Sequence, residues 1–343
     1  MEETRARRPT MKDVAALAGV SLSTVSRTVN GDIAVREDLA AKVRHAVELL
    51  GYQRDEAASA LRRAGRVSAS VGIIVEDVAN PFFSLVHRGV EDCARRRRFL
   101  TFAGSSDDDD QRERDLAAAF VARRVDGLLI APAGRDHRYL ERERAAGVPL
   151  VFVDRPARWL EADAVVSDNA GGATTAVAHL IAAGHRRIAF LGDRPELFTT
   201  SERLTGYRNG LTAHGIEADE ALIRVGLDAD GAHAAARELL ALPEPPTALF
   251  SAQNFVSLGV LRALHELGAR SAVAQVGYDD VALSELLQPA LTVIAQDPYE
   301  LGRAAAEVLF ARLDGDTQPP RRVVLPTRLV ARGSGELPPV SGS

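Results

Sequence analysis

Leu22, Ser23, Ser26, Arg27 and Asn30 carry the first chemistry visible in this 343-residue sequence. At helical spacing they share one face and offer hydroxyls, an amide, a guanidinium and an apolar tip, the groups that read base edges in a DNA major groove. A second polar set follows short apolar runs: EDVANPFF after Val71–Val75, Asp154-Arg155 after Leu150–Val153, Ala252-Gln253-Asn254 after Ala248–Ser251, and Asp279 after a run ending at Val276. If those runs are parallel strands, these residues lie at their carboxyl ends, where open α/β sheets bind small ligands. Catalysis has no comparable signal: there is no GxSxG elbow, P-loop, HExxH or Cys/His cluster, and the eight histidines are scattered. The run Asp107 to Asp110 reads as a solvated loop opening a helix, favourable to its dipole, because successive side chains do not converge on one ion. No enzyme activity, metal or cofactor is expected. Arg95 to Arg98 reads as a solvated helix end, and the single Cys93 as a packed side chain in a reducing compartment.

The elements that must position the first set are short helices. Thr10 with Asp13 forms a capping-box start, Val14, Leu17 and Ala18 share a face, and Gly19-Val20 interrupts before Ser21 with Thr24 opens a second helix carrying Val25 and Val29. A third helix from Arg36 to Leu50, with Leu39, Val43, Val47 and Leu50, supplies the apolar face that the pair needs, and Gly51 stops it. Helix, tight turn, helix is the geometry of a major-groove reader. Charge agrees in sign: residues 1–66 hold 12 Lys and Arg against 9 Asp and Glu, or +3, leaving −8 of the overall −5 for the remainder.

From Ser68 the pattern alternates strands and helices in two successive series, the rhythm of parallel sheets with helices on both faces. The first series has runs at Val71–Val75, Phe99–Phe102, Gly127–Ile130, Leu150–Val153 and Ala164–Val166. The second has Ile188–Leu191, Ala221–Val225, Ala248–Ser251, Ala272–Val276 and Leu291–Ile294, with a last strand from Val323 to Val330. In this reading Arg203 begins a helix running to His214. No stretch reaches the roughly 20 apolar residues of a membrane span, and MEETRARRPT has no apolar signal-peptide core, so a cytoplasmic protein without membrane contact is expected.

DVAALAGVSLSTVSRTVNG resembles, almost position by position, the helix-turn-helix of the lactose-repressor and galactose-repressor (LacI/GalR) family of bacterial transcription regulators. The likeness continues in VFVDRP, VSDNAGGA, HLIAAGHRRIAFLG, RLTGYRNGL, GYDD, PALTVIAQDPYELGRAAAEVLFARL and LPTRLVARGS, and so spans nearly the whole chain. It implies a helical helix-turn-helix domain (1–54), a hinge helix (55–67) and a periplasmic-binding-protein-like α/β body (68–334). That body has two doubly wound parallel-sheet subdomains joined by three crossings, with a disordered tail at 335–343. The resemblance adds Thr10, Ser21, Thr24 and Tyr52 to the candidate DNA contacts. It matches Leu61 to a hinge leucine that wedges into the minor groove, with Ala58 before it. Asp55 and Ser59 depart from the pattern, Asn being usual at the first and Arg or Gln frequent at the second.

The same resemblance implies an effector pocket lined by Phe82, Phe83, Asp154, Arg203, Gln253 and Asp279, with a sugar or related polyol as the default ligand. Gln253 stands where many relatives carry Asn or a small residue, and Leu227 where some carry an aromatic. The expected protein is a homodimeric regulator, or a higher oligomer, on a pseudo-palindromic operator in double-stranded DNA, most often a repressor in this family. Whether effector weakens or strengthens that grip is left open. So is the alternative of a small-molecule binding protein whose N-terminal helices only mediate assembly.

Overall fold

The computed structural model describes residues 9–29, 35–52 and 68–339. The chain divides into two compact units, residues 1–68 and 69–343.

In the first unit, α1 (Met11–Ala18), α2 (Leu22–Val29) and α3 (Glu37–Leu50) close around Val14, Val25, Val43 and Ala46. The α1 start is the expected capping box: the Thr10 amide donates to Asp13 Oδ2 at 2.6 Å and the Asp13 amide to Thr10 Oγ1 at 3.4 Å. Both α1 and α3 end on glycines in the left-handed region, Gly19 at φ 66° and Gly51 at φ 59°, where a side chain would be strained. Leu17 departs from expectation. It is 52% exposed, because an eight-residue helix buries only a narrow stripe, and the Val14 to Ala18 line turns Leu17 outward.

The second unit contains two six-stranded sheets. The first subdomain runs β1 (Ser70–Val75), α4 (Pro81–Arg96), β2 (Leu100–Ser105), α5 (Asp110–Ala122), β3 (Gly127–Ile130), the short α6 (Glu141–Ala145), β4 (Leu150–Val153) and β5 (Asp163–Ser167). The second runs α7 (Asn169–Ala182), β6 (Ile188–Leu191), α8 (Phe198–Thr212), β7 (Ile223–Arg224), α9 (Ala229–Leu240), β8 (Ala248–Ser251), α10 (Asn254–Glu266), β9 (Ala274–Tyr278) and β10 (Thr292–Ala295). Then α11 (Pro298–Leu313) and β11 (Arg322–Leu325) return to the first subdomain and β12 (Arg328–Val330) to the second. Strand orders are β11-β5-β4-β3-β1-β2 and β12-β10-β9-β8-β6-β7, parallel except for β12 against β10. The fully buried β1, β3, β4, β6 and β8 have helices on both faces, as their unbroken apolar runs require. The helix that returns to the first subdomain is seated backbone to backbone. A Cβ on Gly302 of α11 would fall 2.0 Å from the Val86 carbonyl of α4, and one on Gly89 2.1 Å from the Tyr299 carbonyl.

Several local expectations are corrected. The run Val323 to Val330 is two strands in two sheets, since Pro326 offers no amide to continue a ladder and the chain crosses there. The run at Ala221–Val225 keeps only Ile223–Arg224 as a strand, after a 3-10 turn at Glu220–Leu222. The helix expected from Arg203 begins five residues earlier, at Phe198, because Thr200 is buried and its hydroxyl is held by Asp193, which overrides the poor helix propensity of two threonines. Residues 335–339, expected in a disordered tail, are packed: Leu337 joins the second subdomain's core and its carbonyl lies 2.8 Å from His185 Nε2. Thr292 Oγ1 also donates to Glu336 at 2.8 Å.

Candidate functional site

The sequence nominated one site in each unit. In the first unit, Ser21, Leu22, Ser23 and Arg27 are exposed on or beside α2, while Thr24 and Ser26 are half-buried. Val25 points the other way and is fully buried, which fixes the outward face. Ser21 also starts the helix: its Oγ accepts from the Thr24 amide at 3.1 Å and lies 2.8 Å from Thr24 Oγ1. Thr10 spends its hydroxyl on Asp13 Oδ2, at 2.6 Å, and Tyr52 packs half-buried against the three-helix core. Asn30, Ala58 and Leu61, with Asp55 and Ser59, lie outside the described residues.

In the second unit, the carboxyl ends of strands from both subdomains face each other across a narrow cleft. All six residues nominated for it, Phe82, Phe83, Asp154, Arg203, Gln253 and Asp279, line that cleft. After β1 the chain reaches Asn80, which caps α4 by accepting from the Phe82 amide at 3.1 Å, and Pro81 supplies the first helical turn. The two phenylalanines then stand edge to face, centroids 5.1 Å apart. Asp154 and Asp279 occupy equivalent places, directly after β4 and directly after β9, and both adopt left-handed backbone, at φ 70° and 69°. Neither caps a helix. Their amides donate back across the sheet, Asp154 to the Val165 carbonyl and Asp279 to the Ile294 carbonyl, both at 2.9 Å, leaving the carboxylates buried at the cleft. Non-glycine residues in such backbone cost free energy that the surroundings must supply, and they gather at functional sites.

Arg203 sits in the second turn of α8, donating from Nε to Asn169 Oδ1 and from Nη1 to the Ala252 carbonyl, both at 2.8 Å, with its guanidinium 3.8 Å from the Tyr278 ring centroid. Gln253 caps α10, its Oε1 accepting from the Val256 amide at 3.0 Å.

Sequence reasoning missed the ionic floor of the cleft. Arg155, only 4% exposed, holds Glu76 and Asp108 at 2.6 Å each and Asp154 at 3.3 Å. Burial opposes the Arg155 charge, but Asp108, Glu76 and Asp154 outweigh it and raise its pKa above the ordinary value. The carboxylates are less well compensated. Burial pushes Glu76 up to about 7 and Asp154 to about 6 despite Arg155, and it raises Asp193 and Asp279 as well. The sequence places Glu76 and Arg155 at strand ends, though not as an ion pair, and Asp193 follows β6 after Gly192, so the strand-end rule applied to every strand would have found it as well.

Asp108 is a correction. Within the run read as solvated, Asp109 does cap α5 and Asp110 pairs with Arg114, but the Asp108 carboxylate is 9% exposed and committed to Arg155. Its carbonyl also accepts from Arg194 of the second subdomain at 3.0 Å, so it bridges the cleft, as do Asn254 to Asn80 at 2.8 Å and Arg158 to the Glu196 carbonyl at 2.6 Å. Arg95 to Arg98 are exposed and Cys93 is buried, its thiol pKa raised by burial.

Comparison with known proteins bears on both sites. Residues 10–55 match the family model described as bacterial regulatory proteins, lacI family, and residues 177–335 match a periplasmic binding protein-like domain. The chain is 37% identical over 341 residues to the HTH-type transcriptional regulator CelR of Thermobifida fusca, covering 96% of this chain and 99% of CelR. Among solved structures, a CelR–cellobiose complex matches with 35% identity and a TM-score of 0.69, covering 95% of this chain and 100% of that one. A Lac repressor dimer bound to operator and the anti-inducer ONPF matches with 27% identity and a TM-score of 0.84, covering 96% and 99%.

Proposed function

This chain belongs to the lacI family of bacterial regulatory proteins and is a DNA-binding transcriptional regulator, and from that premise we propose that a sugar-like effector in the cleft sets its grip on operator DNA. The observation that carries the effector reading is convergence: polar side chains from six separate strand ends and one helix, drawn from both subdomains, face one small cleft. Phe82 and Phe83 offer ring faces to a sugar, Asp154 and Asp279 accept from hydroxyls, and Arg203, held through Nε and Nη1, keeps Nη2 to donate to one oxygen, the mixture that polyols need. Because its walls belong to different subdomains, a ligand that touches both favours one relative arrangement of the two, which is the requirement for a binding event to shift a conformational equilibrium.

On the DNA side, Arg27 with Leu22, Ser23, Ser26 and Asn30 reads base edges, Thr10, Ser21, Thr24 and Tyr52 hold the backbone, and Leu61 with Ala58 enters the minor groove. A palindromic operator calls for two copies, and the first subdomain has a surface suited to pairing. There β2 is an edge strand with Leu100 68% and Phe102 40% exposed, beside Leu85 of α4 at 47%. An apolar open edge of this kind is a liability unless a second chain covers it. The related Lac repressor structure is a dimer. Among the described residues no helix is long and apolar enough to cross a membrane, and we place its action in the cytoplasm with the chromosome, without a catalytic role. Anisotropy titration of genomic fragments, with and without sugars, tests the whole reading. Sequence-selective binding that a sugar alters supports it, and sugar binding without any DNA preference would favour the plain small-molecule receptor.

A further inference from the structure

Only two guanidiniums line the cleft among the described residues, and the protein already engages both, Arg155 on three carboxylates and Arg203 through Nε and Nη1. Arg155 is shared by Glu76, Asp108 and Asp154, and its Nη1 also donates to the Pro132 carbonyl at 3.2 Å. Arg203 is held by Asn169 and the Ala252 carbonyl over the Tyr278 ring. Against these two cations stand four lining carboxylates, Glu76, Asp154, Asp193 and Asp279, so two negative charges are left uncompensated when all are ionised; Asp108, behind Arg155, is shared with Arg194. Arg194, at the rim, is 40% exposed and divided between Asp108 and Glu196.

Among the uncharged groups one acceptor is left unfilled. Gln296 gives its amide hydrogen to Asp279 at 2.6 Å and keeps a buried Oε1 with no partner, an acceptor at the cleft wall. The Asn80 oxygen is filled by the Phe82 amide and Asn254, and Gln253 Oε1 by the Val256 amide, so these two side chains present NH2 groups to the cleft. A lining that is net negative, with an unfilled acceptor in Gln296, is matched by a ligand that donates and carries no negative charge.

Resting on the sugar reading above, we infer that this cleft selects a neutral or cationic polyol, such as an unmodified or amino sugar, and rejects the phosphorylated or carboxylated forms of the same sugars. The raised pKa values of Glu76 and Asp154 are what carboxylates show when burial is not repaid by nearby cations, and an incoming anion would deepen that deficit. An ammonium group on the ligand would reduce it.

The test is calorimetry on the full chain at pH 7.5 with ribose, glucose and cellobiose as neutral probes, glucosamine as the cation, and ribose 5-phosphate, glucose 6-phosphate and gluconate as anions. The expected result is that at least one neutral or amino sugar binds and that its anionic counterpart is weaker by about a hundredfold or more, the size of effect that close, partly buried like charges produce. Asp279→Asn should narrow that gap by about tenfold, because it removes one charge and keeps the shape. A phosphorylated or acidic sugar that binds as tightly as its neutral parent would overturn the inference and leave the sugar reading standing. A gap that Asp279→Asn leaves unchanged, while the variant still binds the neutral sugar, would overturn its electrostatic origin. Silence from every probe would remove the sugar reading and this inference with it.

Discussion

The two units keep their working residues in opposite surroundings. In the first, four small buried side chains, Val14, Val25, Val43 and Ala46, do nothing but hold three helices, and the candidate contacts Leu22, Ser23 and Arg27 are on the outside. In the second, the candidate contacts are themselves interior: Asp154 is 3% exposed, Arg203 3% and Asp279 9%. Stability and function are therefore separable at Leu22 and Ser23 on the outward face of α2 and entangled in the cleft. A surface reader can be altered without harm to the fold, whereas each charge in the cleft is balanced against others that would be left unpaired.

The most severe way to expose that difference is Arg203→Ala. It removes a cation whose charge is felt by Asp154, Asp193 and Asp279, and loss of one partner from such a buried group typically costs about 3–5 kcal/mol. Urea unfolding of the second unit should show that loss; an unchanged midpoint would mean the cleft is as separable as the helix surface. Arg27→Ala should do the reverse. It should reduce operator discrimination by about 1–3 kcal/mol while leaving thermal unfolding and sugar binding intact. Loss of all three together would place Arg27 in the fold and not at the DNA.

Asp154→Asn sharpens the comparison through pH. The Asp154 pKa is raised in the folded state to about 6, so between that value and its ordinary range near 4 the folded chain binds more protons than the unfolded one. Stability should therefore fall as pH rises through that window and level off above it, by at most roughly 3 kcal/mol from this group. The variant should lose that part of the slope and retain the part near pH 7 that belongs to Glu76. A wild-type curve flat from pH 4.5 to 7.5 would contradict the assignment. The smallest effect is Thr10→Ala, worth about 1 kcal/mol of helix capping. Amide exchange in Met11–Ala18 should accelerate about fivefold, with none in the helices around the cleft.

The same contrast explains what could be read from the residues alone. Capping by Thr10, the glycine stops at Gly19 and Gly51 and the outward face of α2 follow from neighbours three or four positions apart, so local spacing suffices. Strand-end positions such as Asp154 and Asp279 were also legible, because parallel sheets put their carboxyl ends on one side. Asp108 was not. Its partners Arg155 and Arg194 are 47 and 86 positions away, and a four-aspartate loop looks solvated until the fold brings those arginines to it. The tail failed for the same reason, since Leu337 finds its core only after β12 has crossed back.

What fills the buried cleft should govern what the exposed helix holds. The direct measurement is operator affinity of the intact protein, by anisotropy on its preferred genomic fragment, titrated with whichever neutral sugar raises its melting temperature. A change of about tenfold or more is expected at saturation, the scale of ordinary allosteric coupling. A sugar that demonstrably occupies the cleft yet leaves operator affinity unaltered would contradict it.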